Sequence, residues 1–210
     1  MEDDRGIKVV LLGESGVGKT NLIRVSTGKG FEKNENSTIT SAYYEEETYI
    51  NKKRYSYFLW DTAGQEIYRS LNKIFIKDSK IVMIVFAINS KQSFEQIDFW
   101  YKYVRDILGD DGYIIALVAN KSDLFESQEI TEQEMNKKAE ELGVKIKVTS
   151  AAVDAVGFKS FLNELLKDYI DKYNPEEVKQ PEQPETFKIN KENNEDKNTG
   201  ENGKQKKKCC

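Results

Sequence analysis

Eight residues near the start of the chain carry the first recognisable chemistry. Gly13-Glu14-Ser15-Gly16-Val17-Gly18-Lys19-Thr20 sits after an apolar run and before a helical stretch. Glycines at this spacing let backbone N–H groups turn inward around a phosphate chain, the lysine reaches the terminal phosphates, and the threonine offers a hydroxyl to magnesium. The spacing predicts a nucleoside triphosphate site. A second motif, Asn120-Lys121-Ser122-Asp123, follows the apolar run Ile114 to Ala119 and so emerges at the carboxyl end of a strand, where open parallel sheets bind ligands. A carboxylate such as Asp123 can accept from both the ring N–H and the exocyclic amine of guanine, whereas adenine presents no such donor pair. Together the two motifs point to a guanine nucleotide.

Both loops need a sheet to hold them. Ile7 to Leu12, Ile81 to Ile88 and Ile114 to Ala119 are nearly continuous runs of Val, Ile and Leu, the pattern of strands covered on both faces. Ala42 to Ile50 and Lys53 to Trp60 are aromatic-rich and partly alternating around Asn51-Lys52, which predicts a hairpin and one antiparallel edge pair. Helical periodicity runs from Ser93 to Leu108, from Thr131 to Leu142 and from Val156 to Tyr169, with Thr131 and Glu134 spaced as a capping box. Val144 to Val148 supplies a last strand. The expected fold is α/β, with about six mostly parallel strands, one antiparallel edge strand and about five helices.

Composition removes other chemistries. The 210 residues include no histidine, which excludes an imidazole base, a Ser-His-Asp or Cys-His pair and a His-ligated zinc. Cys209 and Cys210 are the only cysteines, so neither a disulfide framework nor a four-cysteine metal site is available, and a reducing, cytosolic setting is expected. No stretch approaches the length of a membrane span and no leader is expected at the N-terminus. A net charge of -4 argues against a nucleic-acid partner. Pro175, Pro181 and Pro184 also fall in the last 37 residues, where Glu, Lys, Asn and Gln dominate. The expected division is therefore a folded domain over residues 1–173 and a tail over 174–210 that buries too little apolar surface to fold alone.

Asp61-Thr62-Ala63-Gly64-Gln65-Glu66, added to the two motifs above, resembles the Ras superfamily of small GTPases, from about Ile7 to Tyr173. Within it the chain most resembles the Rab branch: Trp60 precedes Asp61, Arg69-Ser70-Leu71 follows Gln65, and the ending is Cys-Cys. The resemblance implies the small G-protein phosphate-loop fold, binding of GTP and GDP with Mg2+, and hydrolysis of GTP to GDP and phosphate by a monomer. It assigns the nucleotide to Gly13, Ser15, Gly16, Val17, Gly18, Lys19, Thr20 and Asn21, with Phe31 against the guanine. Asn120, Lys121 and Asp123 would read the base, and Ser150, Ala151 and Ala152 would close over it. Thr20 and Thr38 would be magnesium ligands, with Asp61 near the metal through water. Thr38 and Gly64 would contact the γ-phosphate, and Gln65 would orient the attacking water. Tyr43, Trp60 and Phe75 occupy the positions of an exposed aromatic triad that binds effectors.

Four positions depart from the most frequent family pattern. Thr40 stands where a glycine is usual after the switch threonine, and a β-branched residue resists backbone angles that glycine tolerates. Ala87 replaces an aspartate and Ala152 a lysine, while Ser15 replaces the second glycine of the Ras loop, where serine is common in Rab proteins. The five arginines are Arg5, Arg24, Arg54, Arg69 and Arg105, and none holds an arginine-finger position. The resemblance therefore implies slow unassisted turnover and a GTPase-activating protein, together with an exchange factor, effectors, and a GDP-dissociation inhibitor or prenylation escort protein. The alternative is a GTP-binding effector scaffold with little or no hydrolysis. Cys209 and Cys210 resemble a doubly geranylgeranylated ending, and Lys204, Lys206, Lys207 and Lys208 would favour an anionic leaflet. The implied location is the cytoplasmic face of an endomembrane, with a cytosolic pool and a role in vesicle traffic.

Overall fold

The three apolar runs become the middle of a sheet. The computed structural model describes residues 6–33, 38, 42–62 and 69–173, with the backbone alone for 69–72. Strands β1 (Ile7–Leu12), β4 (Ile81–Ala87) and β5 (Ile114–Asn120) run parallel, flanked by β3 (Lys53–Asp61), also parallel to β1, and by β6 (Lys145–Val148) beside β5. Strand β2 (Ala42–Ile50) pairs antiparallel with β3, so the order is β2-β3-β1-β4-β5-β6. The hairpin turns on Asn51 and Lys52, both left-handed at φ 52° and 65°, which matches the twist of the strands it joins. The expected six-stranded sheet with one antiparallel edge strand is what forms.

Alternation along β1 divides the core into two layers. Ile7, Val9 and Leu11 face the side covered by α1 (Lys19–Ser26) and α6 (Ala155–Tyr173), where Leu22, Phe158 and Leu162 close the layer. Val10 and Leu12 face the opposite side, where Trp100 of α4 (Ile97–Leu108) and Met135 of α5 (Glu132–Leu142) pack. Lys8 interrupts that second face. Its Nζ donates to the Lys77 carbonyl at 2.8 Å at the end of α2 (Arg69–Ile76) and sits 4.9 Å from the Trp60 ring, and burial pushes its pKa down to about 8.

Six α-helices form among the described residues rather than about five, because the helix expected over Ser93 to Leu108 is two. A short α3 (Lys91–Glu95) is tied to the end of β4: the Ser93 hydroxyl donates to the Ser90 carbonyl at 2.7 Å and accepts from the Ala87 N–H at 3.1 Å. Ile97, Trp100 and Val104 must instead face the sheet, and the chain re-aims at Gln96 between the two. The Thr131 capping box forms as expected: the Thr131 hydroxyl accepts from the Glu134 N–H at 3.2 Å, and Glu134 accepts from the Thr131 N–H at 2.8 Å.

Phe158 is fully buried between α6 and the sheet. Phe158→Ala is expected to cost about 3–5 kcal/mol, the usual range for deleting a core phenylalanine. Urea unfolding would check it, as a lower midpoint at an unchanged slope.

Candidate nucleotide-binding site

Polar groups gather where β1, β3 and β5 end. The chain leaves β1 through Gly13, where a Cβ would lie 2.1 Å from the Val85 carbonyl oxygen, so only glycine lets the loop lie against β4. At Gly18 a Cβ would lie 2.4 Å from Asn120 Nδ2, which packs the loop after β1 directly on the end of β5. Lys19 opens α1 and is 5% exposed; its Nζ donates to the Gly13 and Glu14 carbonyls, each at 2.9 Å. Burial lowers its pKa to about 8, against the opposing fields of Asp61 and Glu14.

Asn120 joins three segments. Its Nδ2 donates to the Val17 carbonyl at 2.8 Å, and its Oδ1 accepts from the Ala151 N–H at 3.0 Å. Lys121 follows in the left-handed region at φ 66°, and burial lowers its pKa. Asp123 then begins to descend through a short 3-10 helix, Ser122–Ser127. The Ser150 hydroxyl donates to Asp123 Oδ1 and accepts from the Ala152 and Val153 N–H groups at 3.0 and 3.3 Å. Ser150 thereby fixes the carboxylate while its neighbours turn around it.

These loops enclose one cavity of about 500 Å³. It is lined by Ser15, Gly16, Gly18, Lys19, Thr20, Asn21, Phe31, Thr38, Asn120, Lys121, Asp123, Ala151 and Ala152. Four candidates stand behind the lining: Gly13 and Val17 give carbonyls to Lys19 and Asn120, Ser150 holds Asp123, and Asp61 is buried at the end of β3. Sequence reasoning missed Lys33 and Leu124, which also line the cavity. Leu124 could have been found from its place directly after Asp123. Gly64, Gln65, Thr40, Cys209 and Cys210 lie outside the described residues.

The donor set suits a small hard cation. Thr20 Oγ1 and Thr38 Oγ1 are hydrogen-bonded to each other at 2.8 Å, which brings two hydroxyl oxygens side by side at the edge of the cavity. Among the described residues no group of three or more His, Cys, Asp or Glu side chains is placed to hold a metal. A cation here would depend on hydroxyls, water and the phosphates it accompanies, as magnesium does in nucleotide sites.

The aromatic triad forms a contiguous stack outside this cavity. Tyr43 stacks on Trp60 at 5.3 Å and Trp60 meets Phe75 at 5.7 Å. Tyr43 is 48% exposed but Trp60 only 7%, held between Tyr43 and the Lys8 ammonium. The accessible part of the triad is therefore chiefly Tyr43, with Trp60 as its support.

A sequence model of the Ras family matches residues 8–171. The chain is also 39% identical over 145 residues to Ras-related protein Rab-21 of Geodia cydonium, an alignment that covers 69% of this chain and 62% of that relative's length. The loop after β1 and the loop after β5 thus meet in one cavity at the edge of the six-stranded sheet, and the chain belongs to the Ras family.

Proposed function

We propose that the chain binds GTP and GDP with magnesium, hydrolyses GTP slowly, and works as a membrane-tethered switch in vesicle traffic. The observation that carries this reading is the convergence of Lys19, Thr20 and Asp123 on one cavity. Two of the three N–H donors of the Lys19 ammonium are committed to the Gly13 and Glu14 carbonyls, which leaves the third for a phosphate oxygen. Asp123, with one oxygen held by Ser150, keeps acceptor capacity for the two donors on the guanine edge. Lys121 and Phe31 border the base, one a long aliphatic stem and the other an aromatic ring.

The hydroxyls of Thr20 and Thr38 would hold the magnesium ion, with Asp61 close by, and the bound ion supplies neutralisation of charge on the terminal phosphates. Gln65 orients the attacking water, and the Thr38 and Gly64 amides bind the γ-phosphate. When that phosphate leaves, both segments lose a common anchor, which is the event a partner reads beside Tyr43. No arginine of the chain is a finger, so a GTPase-activating protein supplies the missing charge and an exchange factor resets the cycle. Geranylgeranyl groups on Cys209 and Cys210 hold the protein on the cytoplasmic face of an endomembrane, and a GDP-dissociation inhibitor or prenylation escort protein carries the cytosolic pool. No helix of the described residues is long and apolar enough to cross a membrane.

Four measurements test this reading. Lys19→Ala is expected to abolish GDP binding in calorimetry. Asp123→Asn puts an amide donor where the guanine donors need an acceptor, and is expected to weaken GDP by at least about a hundredfold while admitting xanthosine diphosphate, whose base carries a carbonyl there. Single-turnover hydrolysis of bound GTP is expected at about 10⁻⁴ to 10⁻³ per second, rising strongly with a GTPase-activating protein. Intact binding with no stimulated turnover would instead favour the effector scaffold. Mass spectrometry of the C-terminal peptide from a eukaryotic host is expected to find both cysteines prenylated, and unmodified cysteines would remove the tether.

A further inference from the structure

Phe31 is 47% exposed at the mouth of the base pocket, so little of its own packing holds the ring there. The chain just before it is permissive: Gly28 and Gly30 both sit in the left-handed region, at φ 76° and 77°. What fixes the segment is a side chain from the other end of the cavity. Asn21 Nδ2 donates to the Glu32 carbonyl at 2.9 Å, and Asn21 Oδ1 accepts from the Glu32 N–H at 2.8 Å. The carboxamide thus pairs with one residue's backbone through both of its atoms, as a neighbouring strand would. Asn21 directly follows Thr20 in the first turn of α1, and Glu32 directly follows Phe31.

We propose that Asn21 is a positioning residue that sets how long a guanine nucleotide stays bound, by holding the backbone that carries Phe31 against the base. This rests on the guanine-nucleotide reading of the same cavity. Other ties on the segment lie before the ring: Gly28 N–H donates to the Val25 carbonyl at 3.3 Å, Lys29 N–H donates to the Arg24 carbonyl at 2.8 Å, Arg24 Nε donates to the Gly30 carbonyl at 3.3 Å, and the Lys29 ammonium lies 4.2 Å from the Tyr44 ring. They hold the approach to Phe31, whereas the Asn21 pair holds the residue next to it. For the base to leave, Phe31 must move aside, and moving its backbone strains or breaks both bonds to Asn21. The same tie joins the base cover to the turn that carries Thr20, so the two ends of the cavity yield together.

The test uses the full chain loaded with a fluorescent GDP in magnesium and diluted into unlabelled GDP. Asn21→Ala is expected to release nucleotide about tenfold faster, the order that two neutral hydrogen bonds are worth. Phe31→Ala is expected to speed release as well, and the double variant to release no faster than the faster single one, because both act through one ring. Glu32→Pro removes the N–H that Asn21 accepts from without touching α1, and is expected to speed release in the same direction. Amide hydrogen exchange is expected to show the Glu32 N–H protected in the wild type and unprotected in Asn21→Ala, with the rest of α1 unchanged. Equal release rates for wild type and Asn21→Ala, or a double variant whose acceleration is the product of the two singles, overturn the role. A wild-type chain that retains no guanine nucleotide overturns the reading of the pocket along with it.

Discussion

The whole site hangs on one buried carboxamide. Asn120 is 1% exposed, and its two bonds fasten the loop after β1 at Val17 and the loop after β6 at Ala151 to the end of β5. A buried amide left without either partner is costly, so each loop is held in place by the penalty of leaving Asn120 unsatisfied. The contact leaves no slack, since a Cβ at Gly18 would strike the same side chain. The loop after β1 and the loop after β6, far apart in sequence, are thus set by one geometric constraint.

The carboxyl ends of the strands differ from their bodies for the same reason. Along β1, β4 and β5 nearly every side chain is apolar and covered on both faces. At their ends the buried residues turn polar: Lys19, Asp61, Thr62, Asn120, Thr149 and Ser150. Each carries a cost that neighbours offset, as when the Thr62 hydroxyl donates to the Leu11 carbonyl at 2.6 Å or the Thr149 N–H to the Ala119 carbonyl at 2.9 Å. Burial lowers the pKa of Lys19 to about 8, as it does for Lys8, and an anion in the cavity would favour the charged form of Lys19.

Much of this was legible in the residues. The strands and the antiparallel edge were legible in the apolar runs and the hairpin, because a parallel sheet with covered faces is the economical way to bury continuous Val, Ile and Leu, whereas the order of the strands is set by long-range pairing that the runs do not encode. The phosphate and base loops were legible because their chemistry demands particular residues at fixed spacing. The break at Gln96 was not, since it arises from Ser93 bonding back to Ala87 and Ser90 while the following helix turns to face the sheet. The burial of Trp60 was hidden as well: a family position names the ring, but its exposure depends on Tyr43 stacking above it and Lys8 lying within reach of its ring. The Asn21 pairing with Glu32 lies beyond any local pattern, because neither partner's side chain signals a contact with the other's backbone.

The far end of α6 bears on mechanics. The Tyr173 hydroxyl donates to Asp111 Oδ1 at 2.6 Å and to the Tyr113 carbonyl at 3.3 Å, both in the segment that leads into β5. α6 begins beside the base-closing loop, about 28 Å away at the usual helical rise. A pull on the residues after Tyr173 therefore meets this latch first and passes into the middle of the sheet. The latch lies at the opposite end of the helix from the loops that line the cavity, so a load on this end enters the sheet before it reaches them.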